Sequence, residues 1–278
     1  MDSRTNGASQ QKSISELNDG YIKYLKALQM NKTLLTFFLS VFLAKGVLAQ
    51  ETKNTRDAQQ IWLGYFNQTR LSNKFGIWLD LHLRTKENFT DNFSQSIARA
   101  GFTYYATENT KLTAGYAYVS NYPAEGHTDV TQPEHRIWQQ VQWHTKYGKT
   151  RMMQWIRLEE KYRHKILNDS TLADGYIFNY KVRYNLWYEI PFTQKPSNKF
   201  SFIVNDEVHI NFGKKIVYNY FDQNRFFVGF KMNTSKTDNV QVGYMNQFQQ
   251  LAAGNHYRSN HVLRLFYFHN LDLRRKEQ

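Results

Sequence analysis

From Phe75 to Arg84 apolar and polar residues alternate. Phe75, Ile77, Leu79, Leu81 and Leu83 fall on one phase, and Gly76, Trp78, Asp80, His82 and Arg84 on the other. A period of two places successive side chains on opposite faces of a β-strand. The pattern recurs. Phe178, Tyr180, Val182, Tyr184 and Leu186 oppose Asn179, Lys181, Arg183 and Asn185. Phe200, Phe202, Val204, Val208 and Ile210 oppose Ser201, Asn205, Glu207, His209 and Asn211, while Ile137, Val141, Trp143 and Tyr147 oppose Arg136, Gln140, Gln142, His144 and Lys146. Eleven segments read this way: 61–71, 75–85, 94–105, 111–121, 135–147, 150–163, 176–189, 199–212, 225–232, 239–249 and 261–271.

A soluble β-sandwich also alternates, and a periplasmic ligand-binding sandwich is one alternative. Segment length argues for a barrel in lipid. Many segments reach the ten or so residues that cross a bilayer at a tilt, against about five or six in soluble sheets. Aromatic residues gather toward segment ends, as in Tyr104-Tyr105, Tyr116 with Tyr118, Tyr184 with Trp187-Tyr188, and Phe266-Tyr267-Phe268. Membrane barrels place such girdles at the interfaces. Connections alternate too. Residues 72–74, 107–110 and 148–149 are short turns, whereas 122–134, 164–174, 213–224 and 250–260 are longer. The prediction is an all-β fold, a transmembrane antiparallel up-and-down β-barrel. Bacterial single-chain barrels have an even strand count, so an extra strand within 50–60 is expected, giving twelve; ten is the alternative.

The N-terminal part has a different grammar. Met30-Asn31-Lys32 is followed by an apolar core from Leu34 to Leu43 and by Val47-Leu48-Ala49. A basic start, a short apolar core and a small-residue cleavage motif make a secretory signal. The apolar run falls short of the roughly 20 residues of a spanning helix. Residues 30–49 are therefore read as a signal peptide, with Gln50 opening a mature barrel of residues 50–278 in the outer membrane. Residues 1–29 are polar and fit an early-annotated start, disordered or weakly helical.

Composition narrows the function classes. The chain has 278 residues, a formal charge of +13 and no cysteine. Without cysteine there is no disulfide framework, thiolate metal site or lipoprotein anchor. Mean hydropathy is −0.67, compatible with a barrel whose lumen is polar and whose lipid face takes only alternate positions. Basic residues are scattered among aromatics rather than clustered, which speaks against nucleic acid as a partner. The expected partners are outer-membrane lipids, including lipopolysaccharide, and small anionic solutes.

Several short motifs, in order, resemble a known family. They are Trp62, Arg84, Gly115-Tyr116, Glu134-His135-Arg136, Arg157-Leu158-Glu159 with Arg163, Asn205-Asp206-Glu207, Gln223-Asn224-Arg225 with Gly229, and Gly243-Tyr244. Together they span most of 60–271 and resemble the bacterial outer-membrane barrels grouped as domain of unknown function 2490. The resemblance implies a location and a fold, but no reaction.

The candidate chemistry lies on the polar phase. Arg84, Arg99, Arg136, Arg157, Glu159, Lys161, Lys181, Arg183, Glu207, His209 and Arg225 are all expected to point into the lumen. Against a low-dielectric wall each charge must be paired or wet. Basic groups exceed acidic ones by nine to two in this set. It reads either as an ion-pair network that fills the barrel or as a narrow anion-preferring channel. A lipid-modifying hydrolase is the other alternative. It would need a serine beside His209, with Asn205 and Glu207, or beside His82 with Asp80; Ser201 lies far along the strand from His209. Glu125, His127 and Asp129 alternate in one polar loop, a pattern that solvation alone explains. No catalytic residue, metal site or cofactor motif is assigned.

Overall fold

The structure, a computed structural model, describes residues 53–123, 129–193 and 199–274. The described residues form eleven strands: β1 (Asn54–Arg70), β2 (Phe75–Glu87), β3 (Asp91–Tyr105), β4 (Thr110–Asn121), β5 (Gln132–Tyr147), β6 (Thr150–Asn168), β7 (Thr171–Pro191), β8 (Phe200–Phe212), β9 (Phe221–Asn233), β10 (Asp238–Gln250) and β11 (His256–Asp272). Each overlaps one of the eleven alternating segments. Consecutive strands pair antiparallel, and the sheet closes on itself. A single closed barrel replaces the two packed sheets of the sandwich alternative.

The expected twelfth strand is absent from the described residues. Asn54–Gln60 instead prolong β1, in register with His256–Val262 of β11. An odd number of up-and-down strands brings first and last together pointing the same way, so β1 and β11 pair parallel over the whole 17-residue length of β1. The long connection expected at 164–174 is also different. β6 and β7 run on past register shifts to a tight turn at Asp169-Ser170, forming a protruding hairpin.

Register fixes the barrel's dimensions. A path from partner to partner leaves β1 at Arg70 and regains it at Arg56, a shear of about 14 residues. For eleven strands this gives a tilt of about 44° and a backbone radius of roughly 11 Å. Each residue then rises about 2.4 Å along the axis, so the 12 residues of β4 cover about 28 Å.

Alternation now has physical faces. Ile77, Leu79 and Leu81 on β2, Ile137 and Val141 on β5, Tyr184 on β7 and Leu263 and Leu265 on β11 are exposed on the outside. Val182 and Val208 share that outward phase, half-buried by neighbours. Outward aromatics form ladders across strands. Tyr162, Phe178, Tyr180 and Phe212 make one near the rim of the long loops, and Phe221, Phe248 and Tyr257 another. Phe75 with Tyr104 lies near the opposite rim. Trp187, expected in such a girdle, packs against the inner cluster of Trp62, Ile203, Phe227, Met245, Val262 and Phe266 instead.

Candidate functional site in the barrel lumen

Because the strands are staggered, residues far apart in register can share one height. The shear brings Arg84, Arg99, Arg136, Arg157, Glu159, Arg183, Glu207, His209 and Arg225 to a single level near the middle of the barrel. All nine, with Lys161 and Lys181, line one internal cavity of about 460 Å³. Glu159 is the hub. Its carboxylate takes Arg183 Nη1 at 2.6 Å and Arg136 Nη1 at 3.3 Å, with Arg157 at 3.9 Å. Arg183 reaches on to Glu207 at 2.5 Å, and Arg225 stands 3.6 Å from the same carboxylate. Glu159 is 1 % exposed and Glu207 7 %, so these charges must be held by one another.

Three further lumen carboxylates close to this level extend the network. Asp80 takes Arg99 and His82, each at 2.9 Å. Glu134 bonds Arg136 and accepts Arg163 at 2.6 Å, with Lys161 at 3.6 Å. Asp222 takes Lys181 at 2.6 Å. Asp80 is on the polar phase, where the sequence marks it only as a partner for His82. Glu134 stands one residue before the segment in which alternation is plain. Asp222 defeats alternation outright. His209 pairs with Gln223 but Ile210 with Phe221, so β9 carries a bulge there. An extra residue in one strand turns two neighbours to the same side, and Asp222 and Gln223 are both buried. The nine-to-two imbalance is thus partly offset by carboxylates on the strands themselves.

The lumen also holds tryptophans, and these cover the arginines. The Arg157 guanidinium lies 4.5 Å from the Trp138 ring centroid and 5.0 Å from that of Trp155. Arg84 sits 3.7 Å over Trp62, and Arg225 is 4.9 Å from the same ring. Arg264, on β11, is 3.3 Å from the Phe227 ring centroid and 4.7 Å from that of Phe266. A guanidinium is weakly hydrated and stacks well on aromatic faces. The Phe227 ring has its place because β9 and β10 carry Gly229 and Gly243 beside it; a Cβ on Gly229 would meet the ring at 2.5 Å and one on Gly243 at 2.8 Å. Arg264 does not stand out in the sequence although the 261–271 segment does. Its phase, shared with Val262 and Phe266, is as apolar as the outward one, so polarity does not reveal which side faces in.

The hydrolytic alternative finds no nucleophile. His209 Nε2 lies 2.9 Å from Glu207, and its Nδ1 is 3.0 Å from Gln223 Nε2. Ser201 donates to Glu189 at 2.9 Å, and Asn205 to Asn185 at 2.7 Å. His82 is bound to Asp80 and flanked by the Phe66 and Phe266 rings. Among the described residues no serine hydroxyl bonds a histidine ring, and no group of three or more metal-ligating side chains occurs. Glu125 and His127 lie outside the described residues, as do residues 1–52 with the signal motif; Asp129 donates its backbone N–H to Asp169.

A closed sheet, outwardly apolar and inwardly bridged by arginine–carboxylate pairs, defines a β-barrel protein with a charge-filled lumen. Residues 59–258 match the family model described as Protein of unknown function (DUF2490), and the chain belongs to that family. No curated protein and no solved structure matches it.

Proposed function

We propose that this protein is an outer-membrane β-barrel whose lumen is held shut at mid-height by its ion-pair layer, a structural membrane protein rather than a solute pore. The observation that carries this is the two-faced wall. Large apolar side chains are exposed on every strand of the barrel, a belt far beyond the few hundred Å² that soluble monomers leave bare. The strands are tall enough for an apolar band of about 25 Å, and the aromatic ladders lie toward the rims. Lipid, including lipopolysaccharide, is the partner that such a belt fits. Export would run through the signal read at residues 30–49.

Closure is supported by packing. Arg136, Arg157, Glu159, Arg183 and Glu207 stand at one level and all are buried. Cations still exceed carboxylates there, so any residual passage would favour small anions. Three measurements test the proposal. The protein should fractionate with outer membranes with Gln50 as its N-terminus, migrate faster on gels unheated than heated, and give no porin-sized conductance in planar bilayers. Recovery in the soluble periplasm would overturn the membrane reading, and large steady conductance would overturn closure.

A further inference from the structure

The ion-pair layer leaves Arg264, on β11, without a counter-charge. Arg264 is 6 % exposed, and among the described residues no carboxylate lies within ion-pair distance of it. Its Nε and Nη2 are buried without hydrogen-bond partners. Those two atoms form the side of the guanidinium that grips a carboxylate or phosphate through two parallel bonds. Phe227 covers the flat face of the group and fixes its plane, but stacking uses none of the edge donors. Arg84 and Arg225 line the same cavity, and each also has an unpartnered buried Nε. Arg84 is held by Gln95 at 2.7 Å and by the Trp62 ring, with no carboxylate in reach among the described residues. Trp62 stands opposite Arg84 on one side and opposite Arg264 on the other.

We infer that Arg264, Arg84 and Arg225 form a binding site for an oxyanion, a carboxylate or phosphate group entering the lumen cavity. A buried guanidinium with an idle double-donor edge is unfavourable alone and strongly favourable with an oxyanion in that edge. The aromatic rings of Phe266, Trp62 and Trp187 give the rest of such a ligand an apolar wall. The inference depends on the lumen and not on what covers the outside of the barrel, so it stands or falls separately from the membrane reading.

The test uses the full-length folded barrel in a non-ionic detergent, titrated with inorganic phosphate and, separately, with benzoate. Tryptophan fluorescence should change saturably with at least one probe, and the same probe should raise the unfolding temperature. Response to benzoate but not phosphate assigns an organic carboxylate as the ligand, and the reverse assigns a phosphate group. Arg264→Met should abolish both responses while unfolding at a temperature equal to or above that of the unliganded parent, because it removes an unpaired buried charge. Arg264→Lys, which keeps the charge but loses the fork, should weaken binding at least tenfold. Lys149→Gln, in the β5–β6 turn, should bind like the parent. No saturable response to either probe up to 10 mM (about the weakest affinity such a fork would give) would overturn the site. So would unchanged binding by Arg264→Met, or its unfolding well below the unliganded parent, which would make Arg264 a structural residue.

Discussion

The two sides of the lumen solve the same problem differently. From β5 to β9 buried cations at mid-height meet carboxylates of the strands: Glu134, Glu159, Glu207 and Asp222 answer Arg136, Lys161, Lys181 and Arg183. On β10, β11 and β1 the inward phase carries no acidic residue between the rims. Arg264 there, like Arg84 on adjoining β2, leans on aromatic rings instead. The first side is a mutually satisfied lattice that pins register. The second keeps its guanidinium planes oriented and their edges free. Similar burial therefore does not mean similar purpose: a paired arginine is spent within the wall, while a stacked one still has donors to offer.

The largest expected effect breaks the paired side. Glu159→Gln takes from Arg157 its one ion-pair partner among the described residues and from Arg136 and Arg183 one of two, and loss of one partner of a buried pair costs about 3–5 kcal/mol. Unfolding followed by tryptophan fluorescence should show that loss, and an unchanged midpoint would mean that Glu159 is not the hub. Next comes the outer surface of the stacked side. Leu265→Arg, one residue from Arg264 but facing out, should cost about 2–4 kcal/mol if that face meets lipid. Equilibrium folding into lipid vesicles measures it, and a neutral result would remove lipid from the picture. Smaller again is Trp62→Leu, which takes the ring from under Arg84; the cation–π share of the loss should be about 1 kcal/mol, isolated by a double-mutant cycle with Arg84→Gln.

The smallest effect lies at the rim, outside the lumen. Glu108, in the β3–β4 turn, is bonded by Arg70 at 2.8 and 3.0 Å, and that hydrogen bond holds its carboxyl below the usual range. A depressed folded-state value gives stability above the unfolded carboxyl pKa that disappears as pH falls through the folded one. Glu108→Gln should therefore be slightly less stable than the parent at neutral pH and indistinguishable from it in acid. A difference that persisted in acid would place the effect elsewhere.

Much of this was legible in the chain. Alternation at 75–84 and 178–186, and at 200–211 apart from Ile203 and Asp206, gave strand, face and lumen phase at once, because one side must be apolar and the other need not be. Legibility failed where that contrast failed. On β11 Val262, Phe266 and Phe268 point inward, so the inner face looked like the outer one and Arg264 went unmarked. At Asp222 a bulge broke the period. At 54–60 a polar stretch, NTRDAQQ, shows no alternation and reads as a separate strand only because an even count asks for one, yet it extends β1 because β11 is there to pair with it. The strand count failed for the same reason, since parallel closure is a property of two chain segments about 200 residues apart and leaves no local mark.

That parallel closure has a kinetic meaning. Every other pairing joins neighbours in sequence across a short turn or loop, but β1 meets β11 at a separation of 202 residues. Loop-closure entropy is repaid last where contacts are most distant. The barrel would grow hairpin by hairpin from either end and zip along β1–β11 as its final act. Trp62 and Arg264 face each other across that same join. An uncompensated charge of the lumen is thus assembled only on closure, and an oxyanion drawn into it would act as a late clasp on the finished cylinder.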